Sequence, residues 1–130
     1  MTADLADVAL ERTDGLIVAT VVGEIDMSNA VRVRERIAGF VTPEDWAVVL
    51  DLSGLTFIDS AGLHGVSVLA ELLEERRQRL FLSVPPGGNI ARTIELVGLH
   101  SVSIYADRDL AIAAAQTNRL TSRPYPPDGD

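Results

Sequence analysis

The sequence predicts a single α/β domain. Its mixed, mostly parallel sheet of about five strands has an N-terminal hairpin at its edge and packs against about four helices. Three observations predict this class. The pair Asp14-Gly15 separates two apolar, β-branched segments and is a strong signal for a two-residue hairpin. Farther along the chain, segments with helical periodicity alternate with short apolar segments. Of the 130 residues, 47% are hydrophobic, which is enough for a packed core.

The first half of the chain supplies the hairpin, one helix and a buried strand. The hairpin strands are Val8–Thr13 and Leu16–Val22, and the second is apolar on both faces, which predicts a position inside the sheet. Ser28 is the predicted N-cap of the first helix. The apolar residues of that helix recur at helical spacing: Val33, Ile37, and Phe40 or Val41. Pro43 ends the helix, and the strand Ala47–Leu52 follows.

The second half alternates helices and strands. After a predicted turn, a helix begins at Ser60 and runs towards Arg76, with one apolar face: Leu63, Val66, Ala70 and Leu73. The strand Leu80–Val84 stops at two prolines and two glycines. Asn89 is the predicted cap of a short helix that ends before Gly98, and its apolar residues are Ile90, Ile94 and Val97. A last strand, Ser101–Tyr105, precedes a helix capped by Asp107.

We expect one domain over residues 1–117 and a disordered tail over residues 118–130. The end of the chain is rich in threonine, serine, arginine, proline, aspartate and glycine, and it has little apolar surface to bury. No internal repeat and no second domain are evident in the sequence.

The composition excludes several classes of function. A net charge of −8 argues against nucleic acid as a partner, because phosphate binding requires a basic surface, and it also disfavours an anionic membrane. The chain has no cysteine and no lysine, so thiolate chemistry, a phosphate-loop lysine and a Schiff base are excluded. The acid at Asp4 does not fit a signal peptide, and no apolar segment is long enough to span a bilayer. We therefore expect a cytoplasmic protein.

Acidic and hydroxyl side chains follow two strands that should be parallel neighbours. Asp26 follows Leu16–Val22, and Asp59-Ser60 follows Ala47–Leu52 after the predicted turn. Because the carboxyl ends of parallel strands meet at one edge of a sheet, where ligands and partners bind, we expect these residues to be close in space. Taken alone, Ser60 is an ordinary helix cap, Asp26 is an acid in a turn, and Asp51 is a strand-end residue bonded to nearby backbone.

Catalysis by Ser60 is not supported by its neighbours. The only candidate bases are His64, four residues later, and the distant His100, and no third group orients either of them. Ile58 stands two residues before the serine, where the hydrolase elbow has glycine. Three acids could in principle gather magnesium, but no phosphate-binding loop accompanies them: Asp26, Asp51 and Asp59. We expect no enzymatic activity, no cofactor and no metal.

Three motifs resemble a known family. They are Gly23-Glu24-Ile25-Asp26, the block from Asp51 to Leu63 (DLSGLTFIDSAGL), and the segment from Ile94 to Leu99 (IELVGL). In this order they resemble the STAS domain of bacterial anti-sigma factor antagonists, and the similarity covers roughly Val8 to Ala115. His64 departs from the pattern, because many relatives carry glycine or another residue there.

The resemblance implies a switchable binding protein that regulates transcription, and not an enzyme. Such antagonists bind an anti-sigma factor that is itself a serine kinase of the histidine-kinase ATPase type, and thereby free a sigma factor. The kinase phosphorylates the serine that matches Ser60, a PP2C-type phosphatase reverses this, and Asp26 lies beside that site. We expect these residues to form the partner surface: Asp26, Ser28, Asp59, Ser60, Ala61, Gly62 and His64. The protein would be a monomer or a weak dimer.

Two other functions remain open on the sequence. A STAS domain also serves as the interaction subunit of other assemblies, such as a lipid transporter or a stress-sensing complex. Nucleotide binding is reported for some relatives, but neither lysine nor a glycine-rich phosphate loop supports it in this chain.

Overall fold

A computed structural model of the chain describes residues 5–99 and 102–121. The elements alternate as the sequence predicts, in the order β1 (Ala6–Thr13), β2 (Leu16–Ile25), α1 (Ala30–Phe40), β3 (Ala47–Ile58), α2 (Ser60–Glu75), β4 (Arg79–Ser83), α3 (Asn89–Val97), β5 (Ser103–Tyr105) and α4 (Arg108–Thr121). In the described residues, no helix is both long and apolar enough to cross a membrane.

The sheet has the strand order β1-β2-β3-β4-β5, with β1 and β2 antiparallel and the remaining pairs parallel. Thr13 pairs with Leu16, so the hairpin loop is the two residues Asp14 and Gly15. Their φ angles are 51° and 79°, and two positive values are what a type I′ turn requires. The α/β class, the edge hairpin and the inner position of β2 are confirmed.

Helices cover both faces of the sheet. Alternate residues of β3 point to opposite faces, so Leu50 joins a large core with α1, α2 and α3, whereas Val49 joins a smaller one with α4. The predicted apolar residues of α1 lie in the large core, and Phe40 packs against it half-buried. Val97 was expected to be buried but is 51% exposed, since α3 ends there and the chain turns away at Gly98.

The strand β3 is longer than predicted. Ser53-Gly54 has the composition of a turn, yet the strand continues through it to Ile58. The reason is tertiary, because β2 also continues to Ile25 and pairs with β3 to its end, with two register shifts that accommodate the irregularity. The pair Val22 and Gly54 is close, and a Cβ on Gly54 would lie 2.9 Å from Cγ2 of Val22.

Three helix caps lie one residue away from their predicted positions. Asn29, not Ser28, precedes α1, and Gly88, not Asn89, precedes α3. Asp59, not Ser60, caps α2, because its carboxylate reaches the N–H of Gly62. The fourth predicted cap is confirmed, since Asp107 Oδ1 accepts a hydrogen bond of 2.8 Å from the N–H of Leu110.

The end of the chain is partly described. The helix α4 continues to Thr121, so the segment 118–130, expected to be a tail, starts within this helix. Residues 122–130 lie outside the described residues, as do His100 and the predicted start of β5 at Ser101.

An ion pair between the buried Asp45 and the more exposed Arg12 ties the hairpin to the connection between α1 and β3. Asp45 accepts hydrogen bonds from Arg12 Nε at 2.8 Å and from Arg12 Nη2 at 2.9 Å. It also accepts one of 2.7 Å from the N–H of Thr42. The hydrogen bonds from Arg12 lower the pKa of Asp45, and they outweigh the opposing effect of burial. The folded state therefore favours the charged form of this side chain.

We predict that Asp45→Asn lowers the free energy of unfolding by about 1–3 kcal/mol at pH 7, because the amide replaces an acceptor of charged hydrogen bonds. An unfolded aspartate has a pKa of about 3.9, and the folded value is lower, so the ion pair is fully stabilising above roughly pH 5. Its contribution is lost as the pH falls through the folded pKa. Urea denaturation at several pH values should show the difference between wild type and variant shrinking below roughly pH 4. Glu44→Gln, an exposed neighbour, is the control, and an equal loss there would contradict the assignment.

Candidate functional site

The strands β2 and β3 end side by side, and the chain leaves the sheet at Asp26 and Asp59. Ile25 pairs with Ile58, and the N–H of Asp59 donates a hydrogen bond of 3.3 Å to the carbonyl of Ile25. The N–H of Met27 in turn donates to Asp59 Oδ2 at 3.2 Å. The two acidic positions are therefore neighbours in space, as predicted from the parallel strands.

Asp26 organises the turn between β2 and α1. Its Oδ1 accepts hydrogen bonds from the N–H of Ser28, at 2.8 Å, and from the Ser28 hydroxyl. Asn29 is buried beneath the turn, where its Oδ1 accepts from the N–H of Asp26 and its Nδ2 donates to the carbonyl of Glu24, both at 2.9 Å. The hydrogen bond from the Ser28 hydroxyl is the main reason that the pKa of Asp26 is lowered. A negative charge is therefore fixed at this edge at neutral pH.

Ser60 is the first residue of α2 and is exposed. The cap is provided by Asp59, whose Oδ1 accepts a hydrogen bond of 2.9 Å from the N–H of Gly62. The Ser60 hydroxyl thus stands at the positive end of the helix dipole without being needed to begin the helix. The cap of α2 and the exposed hydroxyl therefore belong to two different residues.

Gly62 holds α2 against the strand ends. It is buried, and a Cβ there would lie 2.6 Å from Cγ1 of Ile58 and 3.1 Å from the carbonyl oxygen of Ile25. Its contribution to the site is this close approach and not an exposed surface. Ala61 is half-buried, while His64 is exposed four residues after Ser60, on the same side of the helix.

Asp51 is separate from this edge. It is 2% exposed and lies within β3, not at its end as predicted, because the strand continues to Ile58. Its Oδ1 accepts a hydrogen bond of 3.0 Å from the N–H of Ser53, which confirms the predicted bond to nearby backbone. Its Oδ2 lies 3.5 Å from Nε of Arg108 at the start of α4. In the part of the chain that the structure describes, no three acidic, histidine or cysteine side chains are placed to hold a metal ion.

Two apolar side chains at this edge were not predicted. Met27, in the turn after Asp26, is 78% exposed, and Val31, in the first turn of α1, is 53% exposed. Val31 falls outside the apolar stripe of its helix, so periodicity gives no reason to bury it. An apolar residue on the polar side of a helix was the available signal.

The STAS domain family matches residues 7–111 of this chain. The anti-sigma-F factor antagonist RsfB of Mycobacterium tuberculosis is 33% identical over 97 residues, which cover 74% of this chain and 77% of RsfB.

Solved structures of other proteins share the fold of this chain. The crystal structure of an anti-sigma factor antagonist from Mycobacterium paratuberculosis superposes with a TM-score of 0.75 at 29% identity, covering 85% of this chain and 94% of the other. The phosphorylated form of the Bacillus cell fate determinant SpoIIAA shares the fold, with a TM-score of 0.61 at 22% identity over 83% of this chain and 98% of SpoIIAA. The chain therefore belongs to the STAS domain family, and the curated relatives that it resembles by sequence are named as anti-sigma factor antagonists.

Proposed function

We propose that this protein is an anti-sigma factor antagonist that binds an anti-sigma serine kinase while Ser60 is unphosphorylated, and so releases a sigma factor. Phosphorylation of Ser60 ends the binding, and a PP2C-type phosphatase restores it. The observation that carries the proposal is an exposed hydroxyl at the first residue of α2, beside Asp59 and Asp26. The similarity to RsfB, named as an anti-sigma-F factor antagonist, supports it.

The surroundings of Ser60 suit a switch that acts on binding and leaves the fold intact. A phosphoryl group adds about −1.5 to −2 charges at pH 7, and the dipole of α2 offsets part of the cost by about 0.3–2 kcal/mol. The cap of α2 is the carboxylate of Asp59, a residue that phosphorylation of Ser60 does not alter chemically. A partner surface that fits a neutral hydroxyl would instead meet a dianion next to two carboxylates.

The same surroundings do not suit a catalytic serine. His64 lies four residues after Ser60 on one helix, and no acidic side chain is bonded to either residue in the described part of the chain. The protein would act as the substrate of a kinase and the ligand of an anti-sigma factor, in the cytoplasm, as a monomer or a weak dimer.

Phosphorylation by purified kinases tests the proposal. Each anti-sigma kinase of the source organism is incubated with this protein and ATP, and we expect one of them to add a single phosphate, which mass spectrometry locates at Ser60. Ser60→Ala should take up no phosphate and still bind that kinase. Ser28→Ala, another hydroxyl of the same edge, should be phosphorylated like the wild type. Absence of both labelling and binding with every kinase would overturn the proposal.

A further inference from the structure

Two large apolar side chains border the proposed phosphorylation site without contributing to the core. Met27 is 78% exposed and Val31 is 53% exposed, and they are four residues apart around the start of α1. We refer to them as the Met27–Val31 pair. Neither is required by the fold, because the first turn of α1 is anchored by the buried residues Asn29 and Ala30.

Val31 lies on the flank of α1 that faces α2, and Met27 is in the turn that immediately precedes this helix. Arg34, three residues after Val31 and on the same flank, lines a small cavity between the helices together with Gly65 and Leu69 of α2. The opposite flank of α1 faces the hairpin, since Arg36 donates a hydrogen bond of 3.2 Å to the carbonyl of Val8.

Two contacts join the segment that carries the pair to the segment that carries Ser60. The N–H of Met27 donates to Asp59, the residue before Ser60. Ala30, the neighbour of Val31, approaches α2 at Gly65, where a Cβ would lie 3.6 Å from the carbonyl oxygen of Ala30. Gly65 adjoins the exposed His64. The exposed residues Ser60 and His64 and the Met27–Val31 pair therefore belong to two segments that contact each other at Asp59 and at Gly65.

We infer that the Met27–Val31 pair is the apolar anchor by which this protein seats on the anti-sigma kinase, at a surface that presents an apolar pocket bordered by basic side chains. The inference rests on the proposed function. Two features favour this occupant: the segment that carries the pair contacts the segment that carries Ser60, and the carboxylates of Asp26 and Asp59 flank it on a chain of net charge −8.

The arrangement has the usual anatomy of a protein interface. A few buried apolar or aromatic side chains supply most of the binding energy, and a polar rim supplies orientation and specificity. Met27 suits the role of anchor because methionine is flexible and adapts to the shape of a pocket. Because this anchor is next to Ser60, the charge of a phosphate on Ser60 would weaken the apolar contact that holds the complex together.

Binding of shape-conserving polar variants tests the anchor. The double variant Met27→Gln/Val31→Thr keeps the size of both side chains and leaves Ser60, Asp26 and Asp59 in place. The probe is the purified kinase that phosphorylates Ser60, titrated by calorimetry without ATP. We expect the variant to bind at least about 30-fold more weakly, as loss of two apolar contacts implies.

The control is Leu96→Gln/Leu110→Gln. Leu96 is 80% exposed near the end of α3, and Leu110 is 52% exposed on α4, which packs against the other face of the sheet. These values match those of Met27 and Val31. We expect the control to bind within about twofold of wild type. Both double variants should unfold at the wild-type urea midpoint, since all four side chains are exposed.

The outcomes separate this inference from the proposed function. If the wild type and Ser60→Ala bind the kinase and the Met27→Gln/Val31→Thr variant binds equally well, the anchor is overturned and the antagonist function stands. An equal loss in the control variant also overturns the anchor, because the effect is then not specific to this pair. If the wild type itself binds no kinase, both the anchor and the proposed antagonist function are overturned.

Discussion

Ser60→Asp should weaken binding to the anti-sigma kinase by at least about 100-fold, which corresponds to about 2.7 kcal/mol. The new carboxylate would stand at the start of α2 beside Asp59 and close to Asp26, whose lowered pKa keeps it ionised at neutral pH. An uncompensated charge that is desolvated in a complex is costly, and like charges at an interface add to the cost.

The matched variant is Ser60→Ala, which removes the hydroxyl and adds no charge. We expect it to bind within about threefold of wild type, because a single exposed hydroxyl contributes little. Both variants should keep the wild-type stability, since Asp59 provides the cap and acidic residues are favoured at a helix start. Surface plasmon resonance with the purified kinase gives the three affinities, and equal values would show that charge at Ser60 does not control binding.

Gly23→Ala should lower the free energy of unfolding by about 3 kcal/mol, through backbone strain and a lost hydrogen bond. The φ of Gly23 is 111°, a conformation that side chains rarely tolerate, and a Cβ would lie 2.1 Å from the carbonyl oxygen of Leu5. That oxygen accepts a hydrogen bond of 2.9 Å from the N–H of Glu24. The variant must therefore separate the start of β1 from the end of β2.

Gly39→Ala is the control for the effect of adding a methyl group. Gly39 lies within α1, where a Cβ would meet no atom within 4 Å. Alanine there should raise the free energy of unfolding by about 0.5–1 kcal/mol, because it has the higher helix propensity. Urea denaturation of both variants should show that the free energy of unfolding falls for Gly23→Ala and rises for Gly39→Ala. A decrease of less than about 1 kcal/mol in the free energy of unfolding of Gly23→Ala would show that the close contact with Leu5 can relax at little energetic cost.

Local chemistry was enough to predict most of the fold. The hairpin follows from Asp14-Gly15, and the apolar face of α1 follows from the spacing of Val33 and Ile37. The continuation of β3 through Ser53-Gly54 could not be predicted in this way. It depends on the pairing with β2, which lies some thirty positions earlier in the chain.

The site was predicted in outline but not in its details. Parallel pairing of β2 and β3 brings Asp26 and Asp59 together, as expected. Which of two adjacent polar residues caps a helix depends on how the chain enters the helix. The sequence therefore predicted Ser60 as the cap of α2, whereas Asp59 provides it. The exposure of Met27 depends on how the turn after β2 lies in the assembled structure, whereas the position of Val31 outside the apolar stripe of α1 could be found in the sequence.

The carboxylate of Asp59 has a consequence for the speed of signalling. One of its oxygens holds the start of α2, and the other holds the turn after β2, so both segments are tied to a residue other than the proposed phosphoacceptor. No loop would need to refold when the phosphate is added or removed. The response time of the proposed switch would then be set by the turnover of the two proposed enzymes and by complex dissociation, and the same molecule could pass through many cycles of modification without loss of structure.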